Sequence, residues 1–303
     1  MKIQQVAEDL GFPEGPISMT DGSVIVVEME HGRLTRVTPD GKKSTVADLG
    51  GGPNGAAIGP DGAIWVANNG GAFSFIKQNG LNIPGPTPES HMGGYIQRVD
   101  PATGKSEIIY DDCDGRPLFG PNDLVFDRQG GLWFTDHGRG TPTGRDFGAL
   151  CYATTDGSKI VRARDHLIAP NGVGLSPDEK VVHVADTWLG RLWAFDIASP
   201  GELGPGPGFA PGRVVCNLQG YQMLDSLAVE AGGKVCVGTL VNGGVTVFDM
   251  DGSTEHIAFP DLLVTNICFG GKDMRDAWIT CSATGKLFKC RWPRPGLKLN
   301  FNA

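Results

Sequence analysis

Six segments of this chain carry a short oxygen-bearing side chain at the same place in a recurring sequence pattern. In four of them this residue directly follows a proline, as in Pro53-Asn54-Gly55 and Pro170-Asn171-Gly172. The six key positions are Glu14, Asn54, Asn122, Asn171, Asp225 and Asn266. A circular repeat fold brings equivalent positions to equivalent distances from its axis. The six side chains are therefore expected to form a ring of carboxylate and amide oxygens, the ligands that hard divalent cations prefer.

Two of the six key residues, Glu14 and Asp225, are carboxylates, and together they balance the charge of one divalent cation. The alternative is that each asparagine only caps backbone groups in a turn. The variation among Glu, Asn and Asp at one register favours a ligand set, because turn caps rarely require glutamate. His-x-His, His-x-x-x-His and Cys-x-x-Cys motifs do not occur in the sequence, which argues against a nitrogen- or sulfur-ligated zinc site. We expect Ca²⁺, with Mg²⁺, Mn²⁺ or Zn²⁺ as alternatives.

The spacing of the key positions indicates what kind of elements hold them. They are separated by 40, 68, 49, 54 and 41 residues, and the shortest spacings match the roughly 40–45 residues of a four-stranded propeller blade. An Asp- or Gly-containing turn and then a β-branched or aromatic run, such as residues 64–67, follow most key positions. The pattern predicts an all-β fold: a six-bladed β-propeller with four antiparallel strands per blade, forming a single domain over residues 1–303.

The last repeat has no fourth strand of its own before the chain ends. Residues 3–10 resemble residues 44–49, which are a predicted outer strand. We therefore expect the N-terminal strand to close the last blade and remove an open edge. The longer spacings contain insertions at about 69–93 and 199–211, and we expect both to extend from one face, where binding residues gather. Phe73 and Phe75 in the first insertion favour a partly apolar pocket.

Charge and composition exclude several classes of partner. The chain has 26 basic and 34 acidic residues and a net charge of −8, which argues against nucleic acid as a partner. No apolar run approaches the roughly 20 residues of a membrane span, and the N-terminus lacks the apolar core of a signal peptide. The seven cysteines form no Cys-x-x-Cys pair and indicate free thiols in a cytoplasmic protein. The oligomeric state stays open.

Several of these motifs together carry a resemblance to a known family. Residues 12–16, 120–124, 133–136 and 169–173 are similar to motifs of the SMP-30/gluconolactonase family. Its relatives include Drp35-like lactonases and the diisopropyl fluorophosphatase group. The resemblance covers nearly the whole chain and implies a six-bladed propeller with a divalent metal, usually calcium, in its central tunnel.

The resemblance also implies roles for individual residues. Glu14, Asn171 and Asp225 match the direct metal ligands, and Asn122 matches a residue that binds the metal in some members and substrate or water in others. Leu224 replaces the proline that precedes the family's aspartate, a departure that alters the turn but keeps the carboxylate. The implied activity is that of a hydrolase of ester bonds, a metal-dependent lactonase. Asp225 is the expected general base or, in a covalent variant, the nucleophile.

Two further residues are candidates for substrate binding beside Asn122. His137 follows a predicted inner strand and can donate a hydrogen bond to substrate or transfer a proton, while a turn histidine bonded to backbone is the alternative. Trp188 lies in a connection that can face the substrate. Three other functions compete with the lactonase: organophosphate hydrolysis at the same metal site, a non-catalytic propeller scaffold and a strictosidine-synthase-like enzyme. The carboxylate pair Glu14 and Asp225 argues against the scaffold.

Overall fold

The computed structural model describes residues 1–141 and 143–302, and this part of the chain contains strands and turns without a helix. None of its elements is therefore a helix of the length and apolarity that crossing a membrane requires. The described strands form six four-stranded antiparallel blades arranged as a β-propeller, which confirms the predicted fold class. In each blade the first strand lies innermost and the following strands lie successively further from the tunnel.

Strand β1 (Ile3–Ala7) precedes the first complete blade. The first blade consists of β2 (Pro13–Ser18), β3 (Val24–Glu28), β4 (Arg33–Val37) and β5 (Lys43–Asp48). The second blade begins with β6 (Pro53–Ile58) and β7 (Ile64–Asn68), then contains the inserted hairpin of β8 (Phe75–Gln78) and β9 (Leu81–Pro84), and ends with β10 (Tyr95–Val99) and β11 (Ser106–Tyr110). A small hairpin of β12 (Asp112–Cys113) and β13 (Arg116–Pro117) leads to the third blade.

The third and fourth blades also carry short additional strands. The third consists of β14 (Pro121–Phe126), β15 (Leu132–Asp136), the small hairpin of β16 (Gly140–Thr141) and β17 (Gly144–Arg145), β18 (Gly148–Ala153) and β19 (Ile160–Leu167). The fourth consists of β20 (Pro170–Leu175), β21 (Val181–Asp186), β22 (Arg191–Ser199), the short β23 (Glu202–Leu203) and β24 (Arg213–Asn217).

The N-terminal strand completes the last blade, as the sequence predicted. The fifth blade consists of β25 (Met223–Val229), β26 (Val235–Leu240), β27 (Gly244–Phe248) and β28 (Thr254–Ala258). The sixth consists of β29 (Val264–Gly270), β30 (Asp276–Cys281) and β31 (Lys286–Arg291), and β1 pairs with the outer edge of β31. In that antiparallel pair Ile3 lies opposite Cys290, so the first and last segments of the chain share one sheet.

Buried side chains hold neighbouring blades together. Within the described residues, six apolar clusters lie one at each junction between adjacent blades. Trp65 and Phe126 meet edge to face across the junction of blades two and three, with ring centroids 5.9 Å apart. The junctions also contain three further buried tryptophans, Trp133, Trp193 and Trp278. These junctions fix the radius at which each inner strand lies.

A β-bulge lies beside the key position in every innermost strand. In four inner strands the ladder is interrupted between the residue before the key position and the residue two after it: Pro53/Ala56, Pro121/Leu124, Pro170/Val173 and Leu224/Leu227. In β2 the interruption begins at Glu14 itself. A bulge bends the strand and redirects side chains. The repeated motif of the sequence is therefore a device that turns one side chain per blade towards the tunnel.

The two longer insertions lie on opposite faces. Residues 69–94 connect the second and third strands of their blade, at the end where the key positions lie. Residues 200–212 connect the third and fourth strands, which meet at the other end of the blade. The expectation that both insertions extend from one face is therefore wrong. A loop lies on the face where the two strands that it connects meet, and the two insertions connect different pairs of strands.

Candidate functional site

A cavity of about 580 Å³ opens at the end of the tunnel where the inner strands begin. Five of the six key residues line it: Glu14, Asn54, Asn122, Asn171 and Asp225. The predicted substrate-binding residues His137 and Trp188 line the same cavity. Glu14, Asn122, Asn171 and Asp225, which the resemblance matched to metal or substrate binding, thus border one space with His137 and Trp188, whereas the expected ring of six is not complete there. Asn266 does not line it, and borders instead a second cavity of about 220 Å³ further along the tunnel.

The carboxylate of Glu14 lies at the boundary between the two cavities. The side chain is 2 % exposed, and its Oε2 accepts hydrogen bonds from Gly15 N and from Asn266 Nδ2, both at 2.9 Å. Burial raises the pKa of Glu14 to about 7, although these hydrogen bonds act to lower it. Among the described residues no lysine, arginine or histidine forms an ion pair with this carboxylate.

Asp225 is the second carboxylate of the cavity. Its Oδ1 accepts a hydrogen bond from Ser226 N at 3.1 Å. Burial raises the pKa of Asp225 well above its usual range, and the neighbouring charge of Glu14 raises it further. Mutual repulsion of two carboxylates away from bulk water favours a cation between them.

The two asparagines of the site differ in how their amides are used. Asn171 Nδ2 donates to Thr187 Oγ1 at 3.1 Å, and Asn171 Oδ1 accepts from Ser226 Oγ at 3.3 Å. Asn122 is 3 % exposed, and its Oδ1 has no hydrogen-bond partner within residues 1–141 and 143–302. A buried carbonyl oxygen without a hydrogen-bond donor lowers the stability of the folded protein unless a ligand interacts with that oxygen.

The donor set fits a hard cation. It combines two carboxylates and two amide oxygens, and the unpaired Asn122 Oδ1 is the acceptor that a cation would satisfy. In the described part of the chain, groups of three or more His, Cys, Asp or Glu side chains suited to a metal are absent. Asparagine therefore has to supply part of any coordination at this site.

His137 and Arg145 form the polar side of the cavity. Arg145 donates from its Nη2 to the carbonyl oxygen of His137. Burial lowers the pKa of His137 to about 3, and the charge of Arg145 lowers it further, so this imidazole is neutral at physiological pH. The ring of Phe73 lies 6.0 Å from that of His137 between centroids. Trp188, in the equivalent loop of the neighbouring fourth blade, is 55 % exposed.

The structure adds two charged residues to the site that the sequence analysis did not single out. Asp123 is buried and lines the second cavity, and its pKa is raised to about 7 by burial and by the charge of Glu14. Because Asp123 directly follows the key residue Asn122, the sequence could have identified it as a candidate. Arg145 comes from the β16–β17 hairpin, whose placement over the tunnel no repeat pattern reveals.

Phe75, unlike Phe73, does not line the cavity. Phe75 packs against Phe12, with centroids 5.2 Å apart, and Phe119 lies beneath the guanidinium of Arg139 at 4.4 Å. Tyr221 is 71 % exposed. His183, between two valines of β21, is buried and does not line the cavity.

The chain is similar in sequence to proteins whose names describe them as lactone-hydrolysing. The chain is 25 % identical over 296 residues to the gluconolactonase of Zymomonas mobilis, with 89 % of this chain and 76 % of that protein covered. It is 25 % identical to the lactonase drp35 of Staphylococcus haemolyticus, over 79 % of this chain and 66 % of that protein. Identity is thus low but extends through most blades.

Two solved structures share the fold. The gluconolactonase of Xanthomonas campestris superposes with a TM-score of 0.75 at 23 % identity, covering 96 % of this chain and 89 % of its own. Regucalcin of Agrobacterium tumefaciens, described as a calcium-binding protein, superposes with a TM-score of 0.72 at 18 % identity, covering 96 % and 95 %. Residues 12–283 match the family described as the SMP-30/Gluconolactonase/LRE-like region, and the chain therefore belongs to that family.

Proposed function

We propose that this protein is a metal-dependent lactonase, a hydrolase that opens a lactone ring at the base of the 580 Å³ cavity. Names of relatives such as gluconolactonase and lactonase support the reaction class. The observation that carries the proposal is the combination, in one cavity, of a buried and a partly buried carboxylate, both without a cationic partner in the described residues, with the unpaired Asn122 Oδ1. We further propose that the six blades form one domain.

Glu14, Asn122, Asn171 and Asp225 would hold the metal ion, and Ca²⁺ suits their oxygen donors best. The calcium-binding name of the Agrobacterium neighbour is consistent with this choice. A bound divalent cation supplies Lewis-acid polarisation of a carbonyl and stabilises the negative charge that develops on its oxygen. Mg²⁺, Mn²⁺ and Zn²⁺ remain alternatives for the ion.

Residues of the chain itself would carry out proton transfer and substrate binding. Asp225 takes a proton from the attacking water or attacks the carbonyl carbon itself, and these two roles stay alternatives. His137 is neutral and buried at the side of the cavity, where it can exchange a hydrogen bond with the ring oxygen or a substituent. Trp188 closes the rim. We place the protein in the cytoplasm, because its seven cysteines, all in the described part of the chain, are free thiols.

Chelation combined with one isosteric substitution tests this proposal. Purified protein is assayed for hydrolysis of a panel of lactones with Ca²⁺ and after exhaustive chelation, and thermal unfolding is followed in both states. We expect Ca²⁺ to restore hydrolysis and to raise the melting temperature, because ligand at 100 times its Kd stabilises the folded state by about 2.7 kcal/mol. Asp225→Asn should abolish both effects while the metal-free protein remains folded.

Asp127→Asn is the matched control for Asp225→Asn. Asp127 is an aspartate that is at least as buried as Asp225, but it caps the turn at the opposite end of the tunnel, where its Oδ1 accepts hydrogen bonds from Gln129 N and Gly131 N. This variant should lose stability and keep the calcium response. Lactone hydrolysis that survives complete metal removal would refute the metal-dependent mechanism. Hydrolysis of phosphotriesters but not of lactones would establish the organophosphate alternative, and a lack of both activities would favour the scaffold.

A further inference from the structure

The insertion of the second blade forms a roof over the cavity. Its strands β8 and β9 are joined by Asn79-Gly80, with φ of 52° and 77°, the positive angles of a type I′ hairpin turn. The hairpin leaves blade two and reaches the loops of two other blades. Asn82 N donates to Ala283 O of blade six at 2.8 Å, and the ring of Phe75 packs on Phe12 at the start of blade one.

One face of the hairpin is fixed to the propeller by polar contacts. Lys77 Nζ and Asn82 Nδ2 both donate to Glu30 Oε2, at 2.8 and 2.6 Å. Glu30 belongs to the loop between the second and third strands of blade one. These contacts, together with the ring packing of Phe75, hold the hairpin at a defined height above the tunnel.

The other face of the hairpin is apolar. Ile76 lies directly opposite Ile83 in the ladder, so both side chains project from the same face, and both border the cavity. Ile76 is 48 % exposed, although it is a large aliphatic side chain. Phe73, Met29 and Met223 continue this apolar wall around the cavity. The polar lining residues come from other elements than the hairpin: the oxygen donors, His137, Thr87, Arg139, Arg145 and Thr187.

This division of the walls discriminates between lactones. A sugar lactone carries hydroxyl groups on most of its carbons, and each hydroxyl that loses water against an apolar wall without a partner costs free energy. An alkyl or aryl substituent gains free energy in the same place. We infer that the substrate is a lactone whose ring carries an apolar substituent of several carbons, seated beneath the Ile76 and Ile83 face of the hairpin. The inference rests on the proposed lactonase function and deepens it.

The test compares two lactones and one non-hydrolysable analogue. The kcat/KM of the Ca²⁺-loaded protein is measured for δ-decalactone, which carries a pentyl chain, and for glucono-δ-lactone. Binding of the δ-lactam with the same pentyl chain is measured by calorimetry. We expect at least a tenfold preference for δ-decalactone. Ile76→Ser and Ile83→Ser should each lower its kcat/KM and the lactam affinity by about tenfold, and change kcat/KM for glucono-δ-lactone less than twofold.

Ile108→Ser is the matched control. Ile108 lies on the outer strand of the same blade, is 54 % exposed and does not line the cavity, so the same chemical change there should alter neither substrate. A preference for glucono-δ-lactone, or equal losses for both lactones in the Ile76 and Ile83 variants, would overturn the inference. If neither lactone is hydrolysed, the proposed function fails, and lactam binding still decides the inference: Ile76-dependent binding supports the apolar seat and absent binding refutes it.

Discussion

The Glu28 carboxylate at the end of β3 gives a prediction that follows from its contacts. Its side chain is fully buried and accepts hydrogen bonds from Gly11 N at 2.7 Å, His31 Nδ1 at 2.7 Å, Arg33 Nε at 2.8 Å and Thr35 Oγ1 at 2.5 Å. These donors come from the loop before blade one, from the turn after β3 and from β4. Glu28 therefore fixes the segment that presents Phe12 to the cavity.

The ionised form of Glu28 is strongly favoured in the folded protein. Burial acts to raise its pKa, but the hydrogen bonds from Arg33, Thr35, Gly11 and His31 outweigh it and lower the pKa from 4.5 to about 2. Since each pKa unit corresponds to about 1.4 kcal/mol, ionised Glu28 contributes about 3 kcal/mol to the free energy of unfolding. A lowered pKa means that this stability is fully present above pH 4.5 and is lost as the pH falls towards 2.

Urea unfolding of the wild type and Glu28→Gln, repeated from pH 7 to pH 2.5, measures this contribution. At pH 7 the variant should be less stable by about 3 kcal/mol, and the difference should shrink steadily below pH 4.5. Glu107→Gln is the control, because Glu107 is an exposed glutamate paired with Arg98, and its loss should cost less than about 1 kcal/mol. A Glu28→Gln difference that is below about 0.5 kcal/mol at pH 7, or that does not change with pH, would refute the reasoning.

Three further perturbations probe closure, packing and the site. Deletion of residues 1–8 removes β1 and opens the edge of β31, so light scattering should show aggregation; a monomeric protein of unchanged melting temperature would contradict this. Trp65→Ala should lower the free energy of unfolding in urea by about 3–5 kcal/mol, and a loss below 1 kcal/mol would mean that the junction collapses around the gap. His137→Gln should lower kcat/KM without moving the pH profile between pH 5 and 8, because the pKa of His137 is about 3; a shifted acidic limb would show that His137 titrates in catalysis.

The sequence predicted the fold through features that every blade repeats. The spacing of the key positions, the apolar strands and the similarity of residues 3–10 to residues 44–49 led to six blades and to closure by the N-terminus, and the structure confirms both. These predictions succeed because a propeller has one local pairing rule applied six times. A single chain therefore contains several copies of the evidence for that rule.

The parts that the sequence did not predict are those that occur once. The hairpin of β8 and β9 lies over the cavity because of particular contacts such as that between Asn82 N and Ala283 O, which join residues 201 positions apart. Arg145 reaches the cavity through another single insertion. To predict the face from which residues 200–212 extend, one must first know which two strands this loop connects. The repeats of the sequence therefore reveal the candidate metal-binding residues but not the residues that determine substrate specificity.

Asn266 is the key residue that orients another key residue instead of lining the cavity. In the four blades with an interrupted ladder around the key position, that residue is left out of the pairing. In β29 the interruption lies between Val264 and Asn266, so Asn266 is paired opposite Thr280. Its amide is then used internally, since Nδ2 donates to Glu14 Oε2 and Oδ1 accepts from Ile267 N at 2.8 Å. Glu14 is likewise paired, opposite Val27, and still lines the cavity, so it is the hydrogen bond to Glu14 and not the pairing alone that separates Asn266 from the candidate ligands.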